Sequence, residues 1–275
     1  MKSYFFVPAS KLNKLPDITK KGIDKIIIDF EDAILSIDRE GYLKEFIKIE
    51  NFEDFWIRVP VREEFTDEIN ITFLTEVYRL GIRNIVLPKI ISSKELVDVM
   101  LLFLKSNFLI LIEHPKLLIE IKNVFLNYPE MAESIKGLGL GSHDLMAFIG
   151  SKHDYEQLDY PRKEMLYLAK AYGIEAIDIA SMNISDEISF ANEIEYAIMN
   201  GYDGKFLIHP KQIDWLKNET KISKENLIWA KEIVSKLPKD YKGGSIEPFV
   251  LNNEVIEKPH VIKALEILNN VENGE

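Results

Sequence analysis

Eight short apolar runs recur along the chain, and most end in a charged or polar residue. They occupy residues 3–8, 25–32, 55–60, 84–89, 108–114, 137–144, 175–180 and 204–210. Parallel strands buried on both faces read as near-continuous apolar stretches, without a polar alternation. Between most of these runs lies enough chain for one helix and two loops, which makes the repeating unit a right-handed β-α-β crossover. Eight such units predict an α/β fold, a (β/α)8 TIM barrel, whose reactive groups stand at the C-terminal ends of its strands. Here those ends carry Asp29, Glu31, Asp32, Arg58, Lys89, Glu113, Asp144, Asp178 and His209. That is an enzyme's layout.

The barrel is expected over residues 1–218, followed by a C-terminal helical extension over 219–275. Within the barrel, a helix over 92–104 opens on Ser-Ser-Lys-Glu, an N-cap signal. Helices over 160–172 and 188–199 stop at Gly173 and at Asn200-Gly201. In the extension, a charged helix over 224–237 precedes Pro238 and a loop over 239–248. A short run over 249–256, a last helix over 259–268 and a frayed tail from Asn269 complete it. The extension reads as a lid or an oligomer interface, not as a ninth unit.

At 275 residues with 47% hydrophobic content, the chain suits one barrel plus an appendage. A net charge of -11 argues against nonspecific binding to nucleic acid or anionic membrane. The absence of cysteine excludes disulfides, thiolate metal sites and a cysteine nucleophile, and suits a cytoplasmic location. No signal peptide is expected, because Met1-Lys2-Ser3 leads into only a short apolar stretch. The apolar stretches 97–104 and 108–112 are separated by Lys105, Ser106 and Asn107, and neither approaches the roughly 20 residues of a membrane span. A soluble protein is expected.

Glu113 and Asp144 each close a strongly apolar strand, the neighbouring fifth and sixth, so both face one barrel mouth. Two carboxylates there make a sparse oxygen site of the kind Mg2+ prefers, or they cap loops and pair with lysines. Arg58 can clamp a substrate carboxylate, or pair with the acidic cluster of Asp29, Glu31 and Asp32. Crowding within that cluster raises carboxyl pKa values and makes Asp29 a candidate acid or base. Lys89 shares the ambiguity of Arg58, and nothing near it argues for the lowered pKa of a Schiff-base lysine. His114 and His143 flank the two carboxylates without a third ligand at metal spacing, weak support for zinc or iron. The glycines at 137, 139 and 141 fit tight strand packing or a close ligand approach, not a nucleotide loop. Signatures of P-loop, dinucleotide and nucleophile-elbow enzymes are missing.

Taken in order, these motifs resemble the citrate lyase β-subunit and malyl-CoA lyase family of the phosphoenolpyruvate/pyruvate barrel group. The carrying residues are Ser3 to Ala9, including Pro8, then Asp29-Phe30-Glu31-Asp32-Ala33-Ile34, Arg58-Val59-Pro60 and Leu87-Pro88-Lys89. They continue with Ile112-Glu113-His114, Gly141 to Leu145, Ala176-Ile177-Asp178, Gly201 to Lys205 and Ile208 to Gln212. The resemblance implies a Mg2+-dependent carbon–carbon lyase with Glu113 and Asp144 as metal ligands. It implies that Arg58 holds the oxo-acid oxygens, with Lys89 and Pro8 on the substrate side. The family's catalytic aspartate is lent by a neighbouring subunit from a C-terminal stretch that here reads Val255-Ile256-Glu257-Lys258-Pro259-His260. Glu257 therefore stands where an aspartate is expected, and the extension would close the site of the next subunit in a homotrimer or hexamer. Further departures are Ala9 in place of glycine and Pro60 in place of asparagine.

The implied reaction joins or cleaves a β-hydroxy acyl thioester, giving a 2-oxo acid and an acyl thioester carried on CoA or a carrier protein. Glu257 would exchange the proton of the thioester enolate. The alternatives are a metal-dependent aldolase acting on free 2-oxo acids, and a non-catalytic accessory protein on the same barrel.

Overall fold

The computed structural model of the chain describes residues 1–64, 66, 68–220, 224–238, 241 and 243–272. The chain divides into two compact units, Met1–Leu216 and Lys217–Glu275. In the first unit eight parallel strands close into a barrel in sequence order. They are β1 (Lys2–Pro8), β2 (Lys25–Asp29), β3 (Trp56–Arg58), β4 (Asn84–Leu87), β5 (Asn107–Ile112), β6 (Ile135–Leu140), β7 (Glu175–Asp178) and β8 (Gly204–Leu207). Closure comes from β1 against β8, with Tyr4 beside Phe206. The (β/α)8 barrel anticipated from the eight runs is the fold.

Alternate strand residues build two cores. Phe5, Ile28, Ile57, Ile85, Ile110 and Leu138 face outward and are covered by helices. Tyr4, Ile27, Trp56, Val86, Leu109, Ile177 and Phe206 fill the barrel interior. At roughly 1.5–3 kcal/mol for each large apolar side chain buried, both cores contribute heavily to stability. Gly137 and Gly139 occupy inward positions on β6. A Cβ at Gly139 would lie 2.3 Å from the Phe206 ring, and one at Gly137 would lie 2.9 Å from Leu109 Cδ2. Their alternation serves side-chain packing inside the barrel, not ligand approach.

The strands are shorter than the apolar runs. β2 ends at Asp29 and β6 at Leu140, because apolar composition continues into buried loop. Phe30, just past β2, is fully buried and its amide donates to Arg58 O at 3.0 Å. Pro88 has no amide to extend β4. Glu31, Asp32, Lys89 and Glu113 therefore stand on βα loops. Asp144 does not close a strand: it lies in the first turn of the helix Ser142–Ile149.

Helix boundaries move for local reasons. Ser92 caps Ser93–Met100 by accepting from the Glu95 amide at 3.2 Å, but that helix stops before Leu104. The helix anticipated over 160–172 is Tyr155–Ala171, capped by Asp154 on the Gln157 amide at 3.1 Å. Pro161 sits in this helix's second turn. Between β5 and β6 the chain makes three short helices, Pro115–Glu120, Lys122–Asn127 and Pro129–Ala132. Pro129 forbids helical geometry at Tyr128 and separates the last two.

In the second unit, helices Lys224–Ser235 and Lys258–Glu272 pack Ala230, Ile233, Val261 and Ala264 around Ile256. The run over 249–256 is a hairpin, β9 (Phe249–Leu251) and β10 (Glu254–Ile256). Asn252 and Asn253 take φ of 50° and 66°, as a two-residue hairpin turn requires. The last helix runs through Glu272, past the anticipated start of a frayed tail at Asn269. Leu265, Ile267 and Leu268 anchor it against the unit's core. Residues 239, 240 and 242 of the anticipated loop, and 273–275 of the tail, lie outside the described residues.

Candidate active site

Strand parity brings the first pair of functional side chains inward. Asp29 lies two residues beyond Ile27, and Arg58 two beyond Trp56, so both inherit the interior face one layer higher. They are direct register partners across β2 and β3. Arg58 Nε donates to Asp29 Oδ1 at 2.8 Å and Nη2 to Oδ2 at 2.6 Å, a bidentate fork. The guanidinium also lies 5.2 Å from the centre of the Phe6 ring. Burial opposes its charge, but Asp29, Glu31 and Asp32 together outweigh burial and raise the Arg58 pKa above its ordinary value.

Glu31 and Asp32 extend this network. Arg58 Nη1 approaches Glu31 Oε2 at 3.1 Å without hydrogen-bond alignment, which leaves that buried oxygen unbonded. Lys89 Nζ binds Glu31 Oε1 at 2.6 Å and Asp32 Oδ1 at 2.7 Å. Burial pushes the Glu31 carboxyl up to about 7 despite Arg58. Asp32 is half-exposed, and there Lys89 and Arg58 outweigh burial and hold its pKa below the usual carboxylate value. Lys89 itself is raised, since Glu31 and Asp32 outweigh its own burial. That is the reverse of a Schiff-base lysine.

Glu113 is buried, and the backbone around it makes its place. Lys89 adopts φ of +52°, rare for a side-chain-bearing residue, and its amide donates to Glu113 Oε2 at 2.8 Å. Gly141 lies against the other side, where a Cβ would stand 2.3 Å from Glu113 Cγ. Only glycine leaves that space. Burial, then the neighbouring Glu31 and Asp144 charges, push the Glu113 carboxyl up to about 8.

Asp29, Asp32, Arg58 and Glu113 share a cavity of about 370 Å³, whose lining also includes Pro8, Ser142, His143 and Asp144. Phe6, Leu111, Leu140, Ala180, Met182, Phe206 and Ile208 form its apolar wall. The structure thus unites Pro8, Asp29, Arg58, Glu113 and Asp144. Lys89 lines an adjoining cavity of about 510 Å³ with Arg39, Arg62 and Glu63, and the two cavities share Asp32 and Ala33. Glu257 belongs to the second unit, at the junction of β10 and the last helix, where its amide donates to His260 Nδ1 at 3.1 Å.

Other candidates have local duties. His114 Nδ1 accepts from the Lys116 amide at 3.1 Å and caps the helix Pro115–Glu120. His209 Nδ1 accepts from the Lys211 amide at 3.3 Å. His143 stacks on His153 with ring centres 3.7 Å apart. Asp178 does not face the mouth: it points outward from β7 and binds Arg162 at 2.6 Å and Lys205 at 3.1 Å. The sequence reading missed Leu111 and Phe206, although both sit at inward strand positions, and Met182, for which it held no signal.

Among the described residues neither Glu113 nor Asp144 forms an ion pair with lysine or arginine, and no three His, Cys, Asp or Glu side chains gather to hold a metal. A buried carboxylate, Glu113, and an exposed one, Asp144, lining one cavity fit Mg2+, which binds through one or two carboxylates and keeps its other positions for water and substrate oxygens. The donor set does not fit a closed zinc site.

The family model for HpcH/HpaI aldolase/citrate lyase matches residues 2–210, which is the barrel. The chain belongs to that family. It is accordingly a carbon–carbon lyase of the aldolase/citrate lyase type. Its relatives include the mitochondrial citramalyl-CoA lyase of Mus musculus, 25% identical over 292 residues, covering 97% of this chain and 85% of that protein. The citrate lyase subunit beta of Haemophilus influenzae is 23% identical over 291 residues, covering 99% of this chain and 97% of that one. Among solved structures, CitE from Mycobacterium tuberculosis in complex with magnesium, acetoacetate and coenzyme A superposes with a TM-score of 0.81. It is 19% identical and covers 98% of each chain, which shows the shared fold.

Proposed function

We propose that this family member is a Mg2+-dependent lyase that cleaves or forms a β-hydroxy acyl thioester, giving a 2-oxo acid and an acyl thioester. The observation that carries this reading is one cavity holding a forked arginine beside two carboxylates that have no lysine or arginine ion-pair partner among the described residues. Relatives named for citramalyl-CoA and citrate support the substrate class, and a neighbour solved with magnesium and coenzyme A supports the cofactor and the thioester. Glu113 and Asp144 would hold Mg2+, which when bound supplies Lewis-acid polarisation of the substrate oxygens. Arg58 binds the carboxylate of the oxo acid and stabilises negative charge that develops as the carbon–carbon bond breaks. Asp29 holds the guanidinium in that orientation. The apolar wall of Phe6, Leu111 and Phe206 keeps water from the reacting carbon.

In cleavage the enolate carbon of the thioester takes a proton, and in condensation it loses one. Glu257 is the group assigned to that transfer, acting from the second unit over the barrel of another copy. A homotrimer or hexamer is part of the proposal, as is a cytoplasmic location for this cysteine-free chain. Among the described residues no helix is long and apolar enough to cross a membrane. Glu257→Ala is expected to leave 2-oxo acid binding intact and to lower turnover by about 10²–10⁴-fold. Mixing it with Glu113→Ala, each strongly impaired alone, raises activity if the site is shared between copies.

Gly141→Ala tests the metal site without removing a ligand. The new methyl group displaces Glu113, so Mg2+ affinity is expected to fall by about 10–100-fold while circular dichroism is unchanged. The overall reading is tested by calorimetry of oxaloacetate, pyruvate and glyoxylate, with and without Mg2+ and acetyl-CoA. Mg2+-dependent binding tightened by acetyl-CoA supports it. Turnover without any thioester selects the aldolase, and absence of Mg2+-dependent binding removes the lyase.

A further inference from the structure

Two fully buried polar side chains behind the cavity have no part in this chemistry, Lys205 and Gln212. Lys205 points outward from β8, and its Nζ donates to Ile179 O at 2.7 Å and to Asp178 Oδ2 at 3.1 Å. It also pairs with Glu193 Oε2 at 2.9 Å. Gln212, in the helix Pro210–Glu219, accepts at Oε1 from the amides of Ile208 at 2.9 Å and His209 at 3.1 Å. Its Nε2 donates to Ser181 O at 2.8 Å. Together they hold the carbonyls of residues 179 and 181, and Gln212 ties the loop after β7 to the loop after β8.

The segment so held is a wall between two spaces. Ala180 and Met182 line the cavity of about 370 Å³ on one side. On the other they line a neighbouring cavity of about 220 Å³, and His143 is shared as well. The neighbouring cavity carries His153, Asp154, Ser181, Asn183, Ser189 and Glu193, a hydrogen-bonding lining with two carboxylates and, among the described residues, no lysine or arginine. A group suited to it is neutral and polar, bearing hydroxyl or amide, and not a second carboxylate.

We propose that Lys205 and Gln212 are positioning residues that hold residues 179–182 as a partition, which sets the largest substituent the substrate can carry. The inference rests on the lyase reading for its substrates but not for its geometry. With the partition in place the substrate is confined to the larger cavity. Once it is released, the two spaces join and a hydroxylated chain fits.

The test uses the full-length chain with Mg2+ and two ligands, pyruvate and a 2-oxo acid extended by a hydroxylated chain. Binding is followed by calorimetry and, with acetyl-CoA, kcat/KM is followed alongside. Gln212→Met removes the three side-chain bonds at nearly constant volume, Gln212→Asn keeps the amide but not its reach, and Met182→Ala thins the exposed part of the wall. Each is expected to raise the ratio of long to short ligand by about tenfold, the scale on which a pocket discriminates small changes in size. Should the Gln212 variants not fold, Met182→Ala decides. An unchanged ratio, or equal losses on both ligands as from a merely structural defect, overturns the proposal. Wild-type binding of 2-oxo acids without thioester turnover counts against the lyase reading alone, because the binding ratio still reads the partition.

Discussion

Glu113→Ala and Asp144→Ala are each expected to abolish Mg2+-dependent binding of 2-oxo acids and to lower turnover by at least about 10³-fold. The carboxylates come from separate βα units and meet at the cavity, and the other carboxylates lining it, Asp29 and Asp32, are already paired with Arg58 and Lys89. Calorimetry of Mg2+ and pyruvate reads the first effect, and steady-state turnover reads the second. Retained Mg2+-dependent binding in both variants would falsify the metal assignment. A pH dependence accompanies it. Without metal the Glu113 carboxyl titrates near 8, so below that value Mg2+ competes with a proton. Affinity for Mg2+ is expected to rise with pH, by up to about tenfold per unit, and to level off above 8. The stability contribution has the opposite sign. A carboxyl raised from 4.5 to about 8 favours the metal-free folded state most below pH 4.5, and that benefit fades as pH rises through 8. Metal-free protein should therefore lose stability across that window, and Mg2+ should restore it.

Arg58→Ala is expected to cost turnover and stability together, with about 3–5 kcal/mol of the latter lost in urea denaturation. Asp29 and Glu31 are each about 5% exposed at the side chain, and Arg58 is the cation that both face. Removing it leaves the buried Asp29 carboxylate without its cation and Glu31 with Lys89 alone. Arg58→Lys keeps the charge but not the fork, so it should recover part of the stability and little of the rate. The double variant Asp29→Asn/Arg58→Ala separates the effects: it should regain stability without regaining activity. If the single Arg58→Ala variant turns over normally, Arg58 has no place in the chemistry.

Much of this site was legible beforehand because it follows from order and spacing. The ordered motifs from Pro8 to Gln212 pointed to a family that the barrel match bears out. Ser92 was legible as a cap because N-cap chemistry is local. Asp178 shows the limit. It was grouped with the strand-end residues, yet it turns away to meet Arg162 and Lys205. A strand buried on both faces carries no polar alternation, so Ala176-Ile177-Asp178-Ile179 does not say which side is inside. Asp29 carries the same ambiguity, which only its register with Arg58 in the closed barrel resolves. Gly141 was visible as one of three spaced glycines, but its neighbour, Glu113, is 28 residues away in the chain.

What the sequence determined by itself is the succession of units, the barrel they build and the chemical types placed at its mouth. These depend on short-range periodicity and composition, which survive without coordinates. The tertiary structure alone decided which charges share a cavity, that Lys89 faces the adjoining one, and that Lys205 and Gln212 brace a wall. Each of those facts depends on strand parity, closure of β1 on β8 and contacts between distant residues. A linear pattern carries no information about which of two buried faces a side chain chooses.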